Sequence, residues 1–132
     1  ASNVKVLPAR NRRDAESPEF LARLSEAKGI WLSDAPIRYL IDTYVDTPVQ
    51  RALERLLDRG GVVAGSAAGA ALQSAALTPT LENGELAVMS EAYERGFGFL
   101  PAVALTQGDA EPTPSAPLAG LKARYPHLIG VE

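Results

Sequence analysis

Apolar positions along the chain recur with two alternating periods. Val4-Lys5-Val6-Leu7 is a short strand-like run closed by Pro8, and residues 11–14 read as a charged loop. Phe20, Leu21, Leu24 and Ala27 then share one helical face, with Ser17 placed to cap the helix, Pro18 to open it and Lys28-Gly29 to stop it. Gly29-Ile30-Trp31-Leu32 is a continuous apolar run of strand length, as expected when both faces of a parallel sheet are covered, and this puts Trp31 in the core. A second helix follows. Thr47 caps it, Pro48 opens it, Gln50 completes a capping box, and Val49, Ala52, Leu53, Leu56 and Leu57 form its apolar stripe before Arg59-Gly60-Gly61.

The same alternation continues downstream. Val62-Val63-Ala64-Gly65 reads as a buried strand and residues 67–76 as a helix of small side chains. Leu86-Ala87-Val88-Met89 and Ala102-Val103-Ala104-Leu105 read as strands, separated by the apolar turn Gly96-Phe97-Gly98-Phe99-Leu100-Pro101. Residues 108–117, with three prolines, read as a loop, residues 118–125 as a short helix ended by Pro126, and residues 127–131 as a last strand. This order predicts one α/β domain over residues 1–132. Its architecture would be three-layered, with a mainly parallel sheet, helices on both faces and right-handed crossovers.

Composition narrows the chemistry. The 132 residues are 46% apolar and 22% charged, enough to build a core. Thirteen basic residues against sixteen acidic ones give a net charge of −3, without a basic patch, which argues against a nucleic-acid partner. With no cysteine and one histidine, His127, neither a thiolate nor a histidine-rich metal site can form, and no cofactor is expected. No apolar run is long enough to span a bilayer, so no membrane partner is expected, and a cytoplasmic location is. His127 reads as a surface residue. Glu82, Glu85, Glu91 and Glu94 read as a solvated face rather than a catalytic carboxylate pair, and Arg10, Arg12 and Arg13 as a solvated basic loop or a seat for an anion.

The stretch from Gly61 to Ala71 is the most informative. An apolar strand enters Gly65-Ser66-Ala67-Ala68-Gly69 and passes straight into a helix, the layout of a nucleophile elbow. The middle position is Ala67, whose methyl group cannot attack a carbonyl. Ser66 lies one residue early, so its hydroxyl is expected to face a neighbouring strand or to cap the helix. Close packing of helix on sheet would explain the same small residues without any chemistry.

This run resembles the Gly-Thr-Ser-Ala-Gly-Ala motif of the cyanophycinase and peptidase E family, serine peptidases with a flavodoxin-like, class I glutamine-amidotransferase-like fold. Arg13-Asp14-Ala15-Glu16-Ser17-Pro18-Glu19-Phe20, Ala27-Lys28-Gly29-Ile30-Trp31-Leu32-Ser33, Thr47-Pro48-Val49 and Gly96-Phe97-Gly98-Phe99-Leu100-Pro101-Ala102-Val103 are similar to further stretches of the cyanophycinase branch, the last to Gly-Leu-Gly-Leu-Leu-Pro-Gly-Val. The resemblance implies a catalytic serine at Ala67, a neighbouring threonine at Ser66 and a histidine base at Gly108. It also implies a ligand cleft lined by Asp34, Ala35, Ser66, Ala68 and Gln107. Asp34-Ala35-Pro36-Ile37 stands where that family has Gly-Gly-Asp-Gln, and Thr106-Gln107-Gly108-Asp109 where it has Asp-Gln-His-Phe. The chain resembles only the middle of that family's domain, so it reads as a reduced copy or a part of a longer protein.

Three expectations follow. The first is a degenerate peptidase homologue that binds or assembles, with itself or with an active relative. The second is a serine exopeptidase for β-aspartyl or aspartyl peptides, silenced by a Ser-to-Ala change at Ala67 or working through Ser66. The third is a module for a small or peptide-like ligand.

Overall fold

The computed structural model of the chain describes residues 3–78, 81–82, 85–86, 94–105 and 116–131. Its elements, in order, are α1 (Arg12–Ala15), α2 (Pro18–Glu26), β1 (Gly29–Leu32), α3 (Ile37–Tyr44), α4 (Pro48–Asp58), β2 (Val62–Gly65), α5 (Ala68–Ala71), β3 (Ser74–Leu77), β4 (Leu81–Glu82), β5 (Glu85–Leu86), β6 (Leu100–Leu105), α6 (Ala116–Arg124) and β7 (Ile129–Val131). β1 and β2 pair in parallel, β3, β6 and β7 form a second parallel sheet in the order β3-β6-β7, and β4 and β5 make an antiparallel hairpin. The fold is therefore α/β, with parallel sheets flanked by helices.

Local signals fix the helix ends. The Ser17 hydroxyl accepts from the Phe20 N–H at 3.3 Å, and the buried Thr47 Oγ1 accepts from the Val49 N–H at 3.1 Å while donating to the Tyr44 carbonyl at 2.7 Å. Gln50 reaches back past the cap, its Oε1 accepting from the Asp46 N–H at 2.9 Å. At the far end of α4, Gly60 at φ +83 donates to the Leu57 carbonyl and Gly61 to that of Leu56, the two bonds of a Schellman ending that only glycine enters without strain. Arg59 at that end donates to the Ser25 and Ala27 carbonyls at 2.9 and 2.7 Å, closing the last turn of α2 as well.

The main core joins Leu24 of α2, Ile37, Leu40 and Ile41 of α3 and Val49, Leu53 and Leu56 of α4 to Leu72, Leu77 and Phe97. Ile30, Leu32 and Val63 pack against this cluster from β1 and β2. A smaller cluster holds Ala104, Leu118, Leu121 and Leu128, with Gly130 of β7 lying under the Leu118 side chain.

Four expectations are corrected by these elements, and one helix was not expected. Val4-Lys5-Val6-Leu7 is not a strand: it has no ladder partner among the described residues, and Val4 and Val6 are almost fully exposed. Residues 11–14 are not simply a loop, because the Asn11 side chain accepts from the Asp14 N–H and starts α1. Trp31 is not core. Register pairs Ile30 with Val63 on the core face, so Trp31 and Val62 share the opposite face, where they are 65% and 61% exposed. The helix expected over residues 67–76 is a single turn, because residues 74–77 pair with β6 instead. α3, for which the sequence carries no capping signal, begins at Ile37 behind Pro36, which offers no side-chain cap.

β6 covers the expected strand but begins at Leu100, inside the expected turn, because Leu100 pairs with Ser74; α6 covers the expected helix but begins at Ala116, inside the expected loop; β7 keeps residues 129–131 of the last expected strand. Residues 87–89 of one expected strand, and residues 108–115 of the expected loop, lie outside the described residues.

Candidate functional site

The elbow sits where β2 ends and α5 begins. Ala67 holds φ +46 and ψ −119, a left-handed conformation that an L-residue adopts only when its surroundings enforce it. The enforcement is visible in the neighbouring glycines. A Cβ on Gly65 would lie 2.6 Å from the backbone of Gly69, and one on Gly69 would lie 2.3 Å from the Leu32 carbonyl oxygen at the end of β1. The Ser66 N–H donates to that same Leu32 oxygen at 3.1 Å, while the Ser66 carbonyl accepts from the Gly69 and Ala70 amides. Both glycines of Gly-x-x-x-Gly are therefore required by contact, and together they thrust residue 67 out of the turn.

The apex carries a methyl group. In an elbow of this kind, the N–H of the residue after the apex faces the acyl oxygen of a substrate. Here that residue is Ala68, and its N–H donates to Oδ1 of Asp34 at 3.2 Å. Asp34 is exposed and comes from the loop between β1 and α3. A carboxylate thus lies against the amide that hydrolysis would need for a developing negative charge.

The other expected site residues divide. Ala35, beside Asp34, packs against the core cluster, and Ser66 is half-buried. The Ser66 hydroxyl does not cap α5, contrary to the second of its expected roles. Gln107 and Gly108 lie outside the described residues. His127 is exposed and meets the Tyr125 ring edge-on at 6.3 Å. Of the arginine cluster, Arg12 pairs with Glu16 and donates to the Asp46 carbonyl. Of the four glutamates, Glu82 and Glu85 are register partners in the hairpin, Glu94 pairs with Arg124, and Glu91 lies outside the described residues.

No family model matches the chain, and no curated protein does. A solved structure does match: the crystal structure of a peptidase from an acI-B1 Actinobacterium, at 30% sequence identity and a TM-score of 0.61, over 76% of this chain and 38% of that one. The chain has the fold of a peptidase. It spans little more than a third of that peptidase's length.

Two features lay beyond the sequence reading. Ala102 takes φ +59 inside β6, where β3 advances from Ser74 to Ala76 while β6 advances from Leu100 to Ala104. The bulge bends the strand just before residues 106–108, and the glycine that the resembling family has at this position was its one signal. The second is a groove of about 940 Å³ between residues 3–9 and β1, which reaches Asp34, Ala35 and Tyr39 but is not lined by Ser66, Ala67 or Ala68. Near it, Tyr44 is half-buried beside Tyr39, and burial chiefly, with Tyr39 second, raises its phenol above the ordinary tyrosine range. No helix among the described residues is long and apolar enough to cross a membrane.

Proposed function

We propose that the chain is a catalytically degenerate serine-peptidase homologue of the cyanophycinase-like branch, acting as a binding or assembly subunit. The observation that carries this reading is the elbow itself: the turn keeps the strained backbone of a nucleophile, yet Ala67 places a methyl where an attacking oxygen would stand. Loss of a triad member costs on the order of 10⁴–10⁶ in turnover even when the remaining site is intact. Gly108, at the position where the resemblance implies the histidine base, is a second departure. An assembly role draws support from the uncovered sheet face bearing Trp31 and Val62, an arrangement more often found buried against a partner.

Release of dipeptide from a β-aspartyl-arginine substrate tests the reading. The chain as it stands and Ala67→Ser are both expected to release none. Hydrolysis by Ala67→Ser alone would establish instead a peptidase silenced at its nucleophile, the second reading, which the retained strain at residue 67 favours. An acyl adduct on Ser66 of the unaltered chain would overturn both. The assembly role is checked by sedimentation, where a stable lone monomer at all concentrations would count against it.

A further inference from the structure

We infer that Asp34 is a built-in block of the elbow, its carboxylate standing on the Ala68 amide in place of a substrate's acyl oxygen. The inference rests on the degenerate-peptidase reading and adds a second lock to it, independent of the missing hydroxyl at residue 67. Three observations carry it.

The first is the contact. Asp34 Oδ1 accepts from the Ala68 N–H at 3.2 Å across 34 residues of sequence, so tertiary structure rather than a local turn brings the two together. The second is how the other amides of the elbow are used. Those of Ser66, Gly69, Ala70 and Ala71 all donate to backbone carbonyls, which leaves the Ala68 N–H as the elbow amide directed at a side chain. The third is charge. Transition-state stabilisation in acyl transfer needs a donor aimed at a forming oxyanion, and a carboxylate already bound to that donor both occupies it and repels the incoming charge. Loop position does the rest: Asp34 follows β1, whose Leu32 carbonyl is itself fixed against Ser66 and Gly69, so the carboxylate is anchored close to the turn it blocks.

Restoring the hydroxyl alone should then leave the site unreactive, and removing Asp34 should release it. The test reads covalent labelling by a fluorophosphonate, followed by intact mass, for Ala67→Ser and for Ala67→Ser combined with Asp34→Gly. Labelling is run in alkaline buffer: the new serine oxygen bonds to phosphorus, the P–F bond breaks, fluoride leaves and buffer hydroxide takes the hydroxyl proton, standing in for the absent base. Freeing one oxyanion donor is expected to raise the labelling rate of the double variant about 10²-fold over the single one. Equal rates, including no labelling of either, overturn the inference.

A second measurement is independent of the new serine. Amide hydrogen exchange at Ala68 should accelerate about tenfold or more in Asp34→Gly, or in Asp34→Ala if the glycine variant does not fold, while exchange at Leu53 and Leu56 stays unchanged. Unaltered exchange at Ala68 would equally refute the block. Failure of the underlying reading looks different, since it appears as labelling of the unaltered chain.

Discussion

Two helical glycines, Gly69 in α5 and Gly120 in α6, separate intrinsic propensity from packing. On propensity alone, alanine at either position should stabilise the chain, by up to about 1 kcal/mol. The structure predicts opposite signs. Nothing among the described residues lies within 4 Å of a Cβ built on Gly120, so Gly120→Ala should gain most of that increment. A Cβ on Gly69 would sit 2.3 Å from the Leu32 carbonyl oxygen and 2.8 Å from its carbon. The obstruction is backbone and cannot rotate aside, so the cost lies at the upper end of overpacking, about 3 kcal/mol. Backing β1 away would also break the Ser66-to-Leu32 hydrogen bond, worth about 1 kcal/mol. Set against the helix gain, Gly69→Ala should destabilise by about 3 kcal/mol, a fall in Tm of roughly 10 °C for a domain of this size. Urea unfolding followed by far-UV circular dichroism reads both variants. A Gly69→Ala protein as stable as the parent would show that the elbow does not clasp the end of β1 and that contact does not enforce the conformation of Ala67.

Three further outcomes follow from the same geometry. Ala102→Gly should stabilise by about 0.5–1 kcal/mol in denaturant titration, because φ +59 is a conformation that costs an L-residue more than a glycine; a loss of stability would refute the left-handed bulge. Thr47→Ala should cost about 2 kcal/mol, since its hydroxyl is buried and serves both the Val49 amide and the Tyr44 carbonyl, whereas Thr47→Ser should recover most of it in the same titration. The Tyr44 phenol is raised in the folded state, so its contribution to stability is fully present below the unfolded value of about 10 and is lost as pH rises through the folded one. Thermal unfolding above pH 10 should therefore weaken less in Tyr44→Phe than in the parent, and parallel declines would exclude Tyr44 as the cause.

The legible parts of this fold are those whose signals are local. Ser17-Pro18 and Thr47-Pro48 announce two helices because capping depends on a hydroxyl two or three residues from the amide it serves. Gly60-Gly61 announces an ending for a similar reason. The misreadings concern tertiary choice. Residues 74–77 are small enough for helix or strand, and pairing with β6 decides between them. Trp31 has a core residue's chemistry but the wrong parity in its strand, and parity follows from which face the helices cover. α3 has good apolar spacing at Ile37, Leu40, Ile41 and Tyr44, yet it starts at a proline with no capping side chain, so its boundary carried no mark. At the site, the glycine spacing was readable because contact leaves no other residue possible. The bond from Ala68 to Asp34 was not readable, since it joins positions 34 residues apart.

The strain at Ala67 invites a functional explanation, since left-handed non-glycine residues gather at active sites and cost of order 1–3 kcal/mol. Its maintenance here has a packing explanation that needs no catalysis. The Gly65–Gly69 approach, the Leu32 carbonyl and the Ser66 amide fix the turn from three sides, and every one of those contacts also joins β1 to β2 or seats α5 on them. Relaxing residue 67 would mean parting the two strands. An elbow held by these contacts would keep its shape with or without a nucleophile at its apex, because the same contacts join β1 to β2 and seat α5 on them.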